Sequence, residues 1–155
     1  MRITSSAFAD GEEIPRKYTQ EGSDLSPPLA WTEVPATTRS LALVVDDPDA
    51  PDPAAPKRTF VHWVVSDLAP DSPGLPEGVH DLPVGHVGLN DYKRPRWVGP
   101  KPPIGRHRYI FKLYALDRVL DRPLLTKAEL EKAMQGHVVA EARLIGTYQS
   151  STPAA

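Results

Sequence analysis

Eighteen of the 155 residues are proline and none is cysteine. Proline lacks a backbone N–H and has a locked φ, so it is kept out of helix interiors and central strands. A share well above the roughly 5% of ordinary proteins excludes a helix bundle or a doubly wound α/β domain built on long helices. Twelve of the prolines lie between Pro48 and Pro103, and they are read as flanking the periodic segments without interrupting them. Hydrophobic residues at 40% and charged residues at 25% are ordinary for a globular chain, so the prolines do not signal a disordered tail. The expectation is one domain over residues 1–155, made of short strands joined by stiff connections.

Three segments read as buried strands: residues 40–46, 59–66 and 107–116. Simple pleating of the second places His62 and Val64 on one face and Val61, Trp63 and Val65 on the other. In the third, His107, Tyr109, Phe111, Leu113 and Ala115 share a face. Residues 1–5 and 144–149 are shorter candidates. One helix is signalled by a capping box, Thr126 with Glu129. Leu130, Met134, Val138 and Ala142 then follow at fourfold spacing, so the helix is expected to run to about Gly146, with Gly136 inside it and His137 as a structural residue near its apolar stripe. Residues 150–155 read as a frayed tail. Together these elements predict an antiparallel β-sandwich with peripheral helices.

The formal charge is −2, which gives no basic excess for nucleic-acid binding. Without cysteine there is no disulfide, thiolate nucleophile or cysteine-held metal. No apolar leader and no membrane span are visible, and the expected location is cytoplasmic. A Gly-x-Ser-x-Gly elbow, a P-loop and a His-Glu-x-x-His motif are all missing. His80, Asp81 and His86 read as a solvated Gly/Pro-rich loop, so neither a metal nor a cofactor is expected.

Three features at strand ends remain. Asp46-Asp47-Pro48-Asp49-Ala50-Pro51 crowds three carboxylates into four positions. Such a run either lies in solvent or is pinned by its prolines so that one carboxylate turns into a cavity. His62, beside Trp63 in an apolar strand, is either a satisfied core residue or a site residue. Pro102-Pro103-Ile104-Gly105-Arg106-His107-Arg108-Tyr109 is either an edge strand with a charged start or a stiff wall leading to a histidine.

These segments, with Ser6-Ala7-Phe8, Ile14-Pro15, Tyr18 and Ser26-Pro27-Pro28-Leu29-Ala30-Trp31 near the start and Gly146-Thr147-Tyr148 near the end, resemble the phosphatidylethanolamine-binding protein family, also called the Raf kinase inhibitor protein family, in its shorter prokaryotic branch. The resemblance covers about residues 2–149. It implies an antiparallel β-sandwich with a small pocket for anions such as phosphate or phosphoryl headgroups. The pocket residues carried over are Asp47, Pro51, His62, Gly99, Pro100, His107 and Tyr109, with a cis peptide before Pro51. Lys101 stands where many prokaryotic relatives have cysteine, which puts a cation at the presumed rim.

The resulting expectation is a binding protein that takes a small anionic ligand and acts through a protein target such as a kinase or serine protease. An acid–base enzyme acting on a phosphoester and a structural homodimer with a vestigial pocket are the alternatives.

Overall fold

The computed structural model describes residues 1–151 apart from His80 and Pro83. His80, read from the sequence as part of a solvated loop, and the tail residues 152–155 therefore lie outside the described residues. Eight strands form two sheets: β1 (Arg2–Thr4), β2 (Leu29–Thr32), β3 (Ser40–Ala50), β4 (Arg58–Leu68), β5 (Gly74–Leu75), β6 (His86–Val87), β7 (Arg106–Leu116) and β8 (Val138–Gln149). The small sheet has the order β1-β2-β5 and the large one β6-β4-β3-β7-β8, with every named pair antiparallel. A 3-10 turn (Arg16–Tyr18) and one α-helix, α1 (Lys127–Met134), complete the described elements.

The layers follow from which side chains each face buries. Ile3, Leu29 and Trp31 of the small sheet meet Leu43, Val45, Trp63, Phe111 and Leu113 of the large one in the principal core. The opposite face of the large sheet places Ala42, Val44, Val61 and Val64 against Leu130 and Met134 of α1. The molecule is thus a β-sandwich with its helix packed outside the larger sheet.

The expected pleat of residues 59–66 fails at one residue. Val45 pairs with Trp63, but its neighbour Asp46 pairs with Val61, so His62 is the extra residue of a β-bulge. The bulge resets the alternation. Trp63 and Val65 go to the inter-sheet core, while Val61 goes with Val64 to the helix side.

The helix is shorter than its apolar spacing suggested. The Thr126–Glu129 capping box forms, but α1 stops at Met134. Gly136 has φ +81° and the His137 N–H returns to the Met134 carbonyl, a left-handed turn that ends a helix. Val138 and Ala142, read as the lower half of the apolar stripe, belong to β8 instead, where Ala142 pairs with Leu113 and Val138 with Leu116. His137 therefore lies off the helix, bonded through Nδ1 to Asp117 at 2.8 Å.

Pro48 corrects the view that no proline interrupts a strand, since it lies inside β3. It does so past Asp46, the last β3 residue paired with β7, and within the register irregularity between Asp47 and Ala50. No ladder hydrogen bond is lost there, the setting in which a strand tolerates proline.

Candidate functional site

The carboxylate run is not a solvated turn, and one of its carboxylates does turn into a cavity. The run is the end of β3, with Asp46, Asp47 and Asp49 all buried. Each meets a different cation or ring. Asp46 turns toward the helix side and takes Lys112 Nζ at 2.9 Å and Lys127 Nζ at 2.8 Å on one oxygen. Asp49 grips Arg108, with Nε at 3.0 Å and Nη2 at 2.9 Å, and accepts the Arg108 backbone N–H at 2.9 Å. These hydrogen bonds hold the Asp49 carboxyl below the ordinary carboxylate range. Asp47, on the opposite side from Asp46, faces a cavity.

That cavity, about 370 Å³, lies where β3 ends and β4 and β7 begin. Asp47, Pro51, His62, His107 and Tyr109 all line it. The Ala50–Pro51 peptide is cis, as the family resemblance implies. Gly99 and Pro100 do not line the cavity; they stand behind it. Gly99 donates its N–H to Asp24 Oδ1 at 2.8 Å and its carbonyl accepts from Gln20 Nε2 at 2.9 Å. A Cβ at Gly99 would come within 2.3 Å of the Tyr18 carbonyl oxygen, so the close approach admits only glycine. The Pro100 carbonyl accepts the Gln20 N–H.

The hydrogen bonds of the two cavity histidines define their protons. His107 Nε2 lies 2.8 Å from the Ile104 carbonyl and Nδ1 lies 2.6 Å from Asp47 Oδ2. A carbonyl only accepts, so Nε2 carries a proton. At 2.6 Å a second proton must lie between Nδ1 and the carboxylate, whichever atom holds it. The pair therefore has no net charge, and Asp47 does not repel an anion as a bare carboxylate would. Asp47 Oδ1 is also engaged, accepting the Asp49 N–H at 2.7 Å.

His62 Nδ1 donates to the Val98 carbonyl at 2.6 Å. Burial pushes its pKa down, outweighing the attraction of Asp47, Asp91 and Asp46. The ring is thus neutral, with its proton on Nδ1, and Nε2 is an acceptor with no partner among the described residues. Tyr109 packs edge-on to His62, with ring centroids 5.3 Å apart, and parallel to His107 at 6.5 Å. Its phenol likewise has no partner among the described residues. Burial, reinforced by Asp47, pushes its pKa up, so it stays an O–H donor.

Four lining residues carried no signal in the sequence: Lys57, Arg58, Phe60 and Tyr92. Phe60 pairs with Asp47 across β3 and β4, which puts it on the cavity side, and it packs against His62 and Tyr92. Arg58 lies over the Phe60 ring and is 3.3 Å from Asp91. Lys57 and Lys101 reach the cavity with no carboxylate partner among the described residues. The prolines that do form its wall are Pro51, Pro102 and Pro103.

The other sequence candidates lie elsewhere. His86 is 3.7 Å from Asp67 and 3.9 Å from Asp121. Among the described residues no group of three or more histidine, aspartate or glutamate side chains could hold a metal ion. Also among these residues, no helix is long and apolar enough to cross a membrane.

Comparison with known proteins gives one consistent result. A family profile described as phosphatidylethanolamine-binding protein matches residues 4–149. A UPF0098 protein of Methanothermobacter thermautotrophicus is 48% identical over 154 residues, covering 96% of this chain and 99% of its own length. The crystal structure of a phosphatidylethanolamine-binding protein homologue from Chlamydia trachomatis superposes with a TM-score of 0.90 at 41% identity, covering 97% of each chain. That of YbcL from Escherichia coli, a member of the mammalian phosphatidylethanolamine-binding protein family, superposes at 0.84 with 27% identity, over 97% of this chain and 98% of that one.

Proposed function

The chain belongs to the phosphatidylethanolamine-binding protein family, and from that premise we propose that its cavity binds a small anion carrying a phosphoryl group. The observation that carries this reading is the charge balance of the cavity. Lys57 and Lys101 line it without carboxylate partners among the described residues, while its one lining carboxylate, Asp47, is neutralised by His107. Tyr109 supplies a hydroxyl donor inside. The apolar walls of Pro51, Phe60, Pro102 and Pro103 lower the local dielectric and strengthen each polar contact.

The reading is of binding without turnover. Both His107 nitrogens and both Asp47 oxygens are used within the protein, which supports a rigid receptor over an acid–base pair free to move protons. A regulatory use through a protein target, such as a kinase or serine protease, rests on the family and on the exposed Tyr92 and Ile104 beside the cavity.

Calorimetric titration with inorganic phosphate tests the proposal. Binding is expected in the micromolar-to-millimolar range, with no hydrolysis of generic phosphomonoesters. Absence of binding at roughly 10 mM phosphate overturns it.

A further inference from the structure

Among the described residues, two polar atoms on buried side chains of the cavity, the Tyr109 hydroxyl and His62 Nε2, have no partner in the protein, and they differ in kind. Tyr109 brings an O–H that donates. His62 brings a nitrogen that accepts, because the Val98 carbonyl holds the ring proton on Nδ1. A fully ionised phosphate or a sulfate offers only acceptor oxygens, so it satisfies Tyr109 and sets an oxygen lone pair against that of His62 Nε2.

We infer that the cavity selects the hydroxyl-bearing monoanion of a phosphomonoester, whose P–O–H donates to His62 Nε2 while a second oxygen accepts from Tyr109. This rests on the phosphoryl-binding reading above. It also rejects phosphodiesters, which carry the same single charge but have no P–O–H.

The surroundings of His62 support the neutral ring. Asp46 and Asp47 approach from β3, His107 and Tyr109 from β7, Arg58 from its own strand, Asp91 and Tyr92 from the loop after β6, and Lys57 and Lys101 from the loops at the mouth. Asp46 is paired with two lysines, Asp91 with Arg58 and Asp47 with His107. No unpaired carboxylate among them is left to draw a second proton onto His62.

Affinity for a phosphomonoester must then track its monoanion. With a second pKa of about 6, the monoanion falls from about half of the ligand at pH 6 to about one part in a hundred at pH 8, a loss of about fiftyfold. A protonated His62 binding the dianion would produce the same slope, so pH alone does not decide between them. Two further probes do. Sulfate is a dianion with no proton, and dimethyl phosphate is a monoanion with no hydroxyl. A site built to accept a hydrogen bond rejects the analogue that lacks the donor.

The experiment is titration of the unmodified protein at pH 6 with methyl phosphate, dimethyl phosphate and sulfate, with nitrogen NMR of the His62 ring in the methyl phosphate complex. Methyl phosphate is expected to bind at least about tenfold tighter than either probe, with His62 Nε2 unprotonated in the complex. Sulfate or dimethyl phosphate binding within tenfold of methyl phosphate, or a protonated Nε2, overturns the selectivity and leaves phosphoryl binding standing. No binding by any of the three overturns both.

Discussion

Asp47 Oδ2 lies 2.6 Å from His107 Nδ1, with the side chains 5% and 1% exposed. The pair joins β3 to β7 at the mouth of the sandwich. Removing one partner leaves a buried polar group unpaired, which costs about 3 kcal/mol. Asp47→Ala is therefore expected to lower unfolding stability by about that much, read from the urea midpoint. A loss below about 1 kcal/mol would show that the pair does not hold the strand ends together.

His62 ties stability to pH. Burial depresses its folded pKa below the unfolded value. The unfolded chain therefore takes up the proton first as pH falls, and the contribution of His62 to stability is complete above about pH 6.5 and lost below it. Unfolding midpoints measured across this range should fall on the acid side, and His62→Phe should flatten that part of the profile. A His62 ring that titrates at or above the ordinary imidazole range in NMR would contradict the depression.

Lys57 and Lys101 are exposed, so they should matter for ligand and little for folding. Each change to alanine is expected to weaken phosphate binding about three- to tenfold at low salt, less at physiological ionic strength. Stability should stay within about 0.5 kcal/mol of the parent. Parallel calorimetry and thermal unfolding read the two effects. Unchanged affinity in the double variant would remove the lysines from the site.

Gly136 distinguishes two local structures by the sign of one measurement. Inside a helix, Gly136→Ala would stabilise by about 1 kcal/mol. At φ +81°, with open space where a Cβ would sit, alanine carries a left-handed penalty of about 1 kcal/mol instead. Thermal unfolding of the variant should therefore show a lower midpoint. A higher one would place Gly136 in a continuous helix.

Much of the sandwich was legible because strands and caps write local signals. The apolar runs around Val44, Trp63 and Phe111, and the Thr126–Glu129 box, each depend on neighbours a few residues away. The errors came where a non-local partner decided. Leu130, Met134, Val138 and Ala142 have helical spacing, yet β7 captures Val138 and Ala142 in its ladder, and pairing with a neighbouring strand outweighs weak propensity. His62 broke the pleat because a bulge is a relation between two strands, invisible in either one.

The site divides in the same way. By itself the sequence determined the proline-pinned segments, the acidic run, the strand histidines and, through their order, the family. It could not say that Asp46, Asp47 and Asp49 would part to different partners, because alternate strand positions face opposite sides and the partners come from β7 and α1. Nor could it place Lys57, Arg58, Phe60 and Tyr92 at the cavity, or Gly99 and Pro100 behind it. The protons were decided last and only in three dimensions. The Val98 carbonyl holds one on His62 Nδ1 and the Ile104 carbonyl holds one on His107 Nε2, and a backbone carbonyl's position is a property of the folded chain.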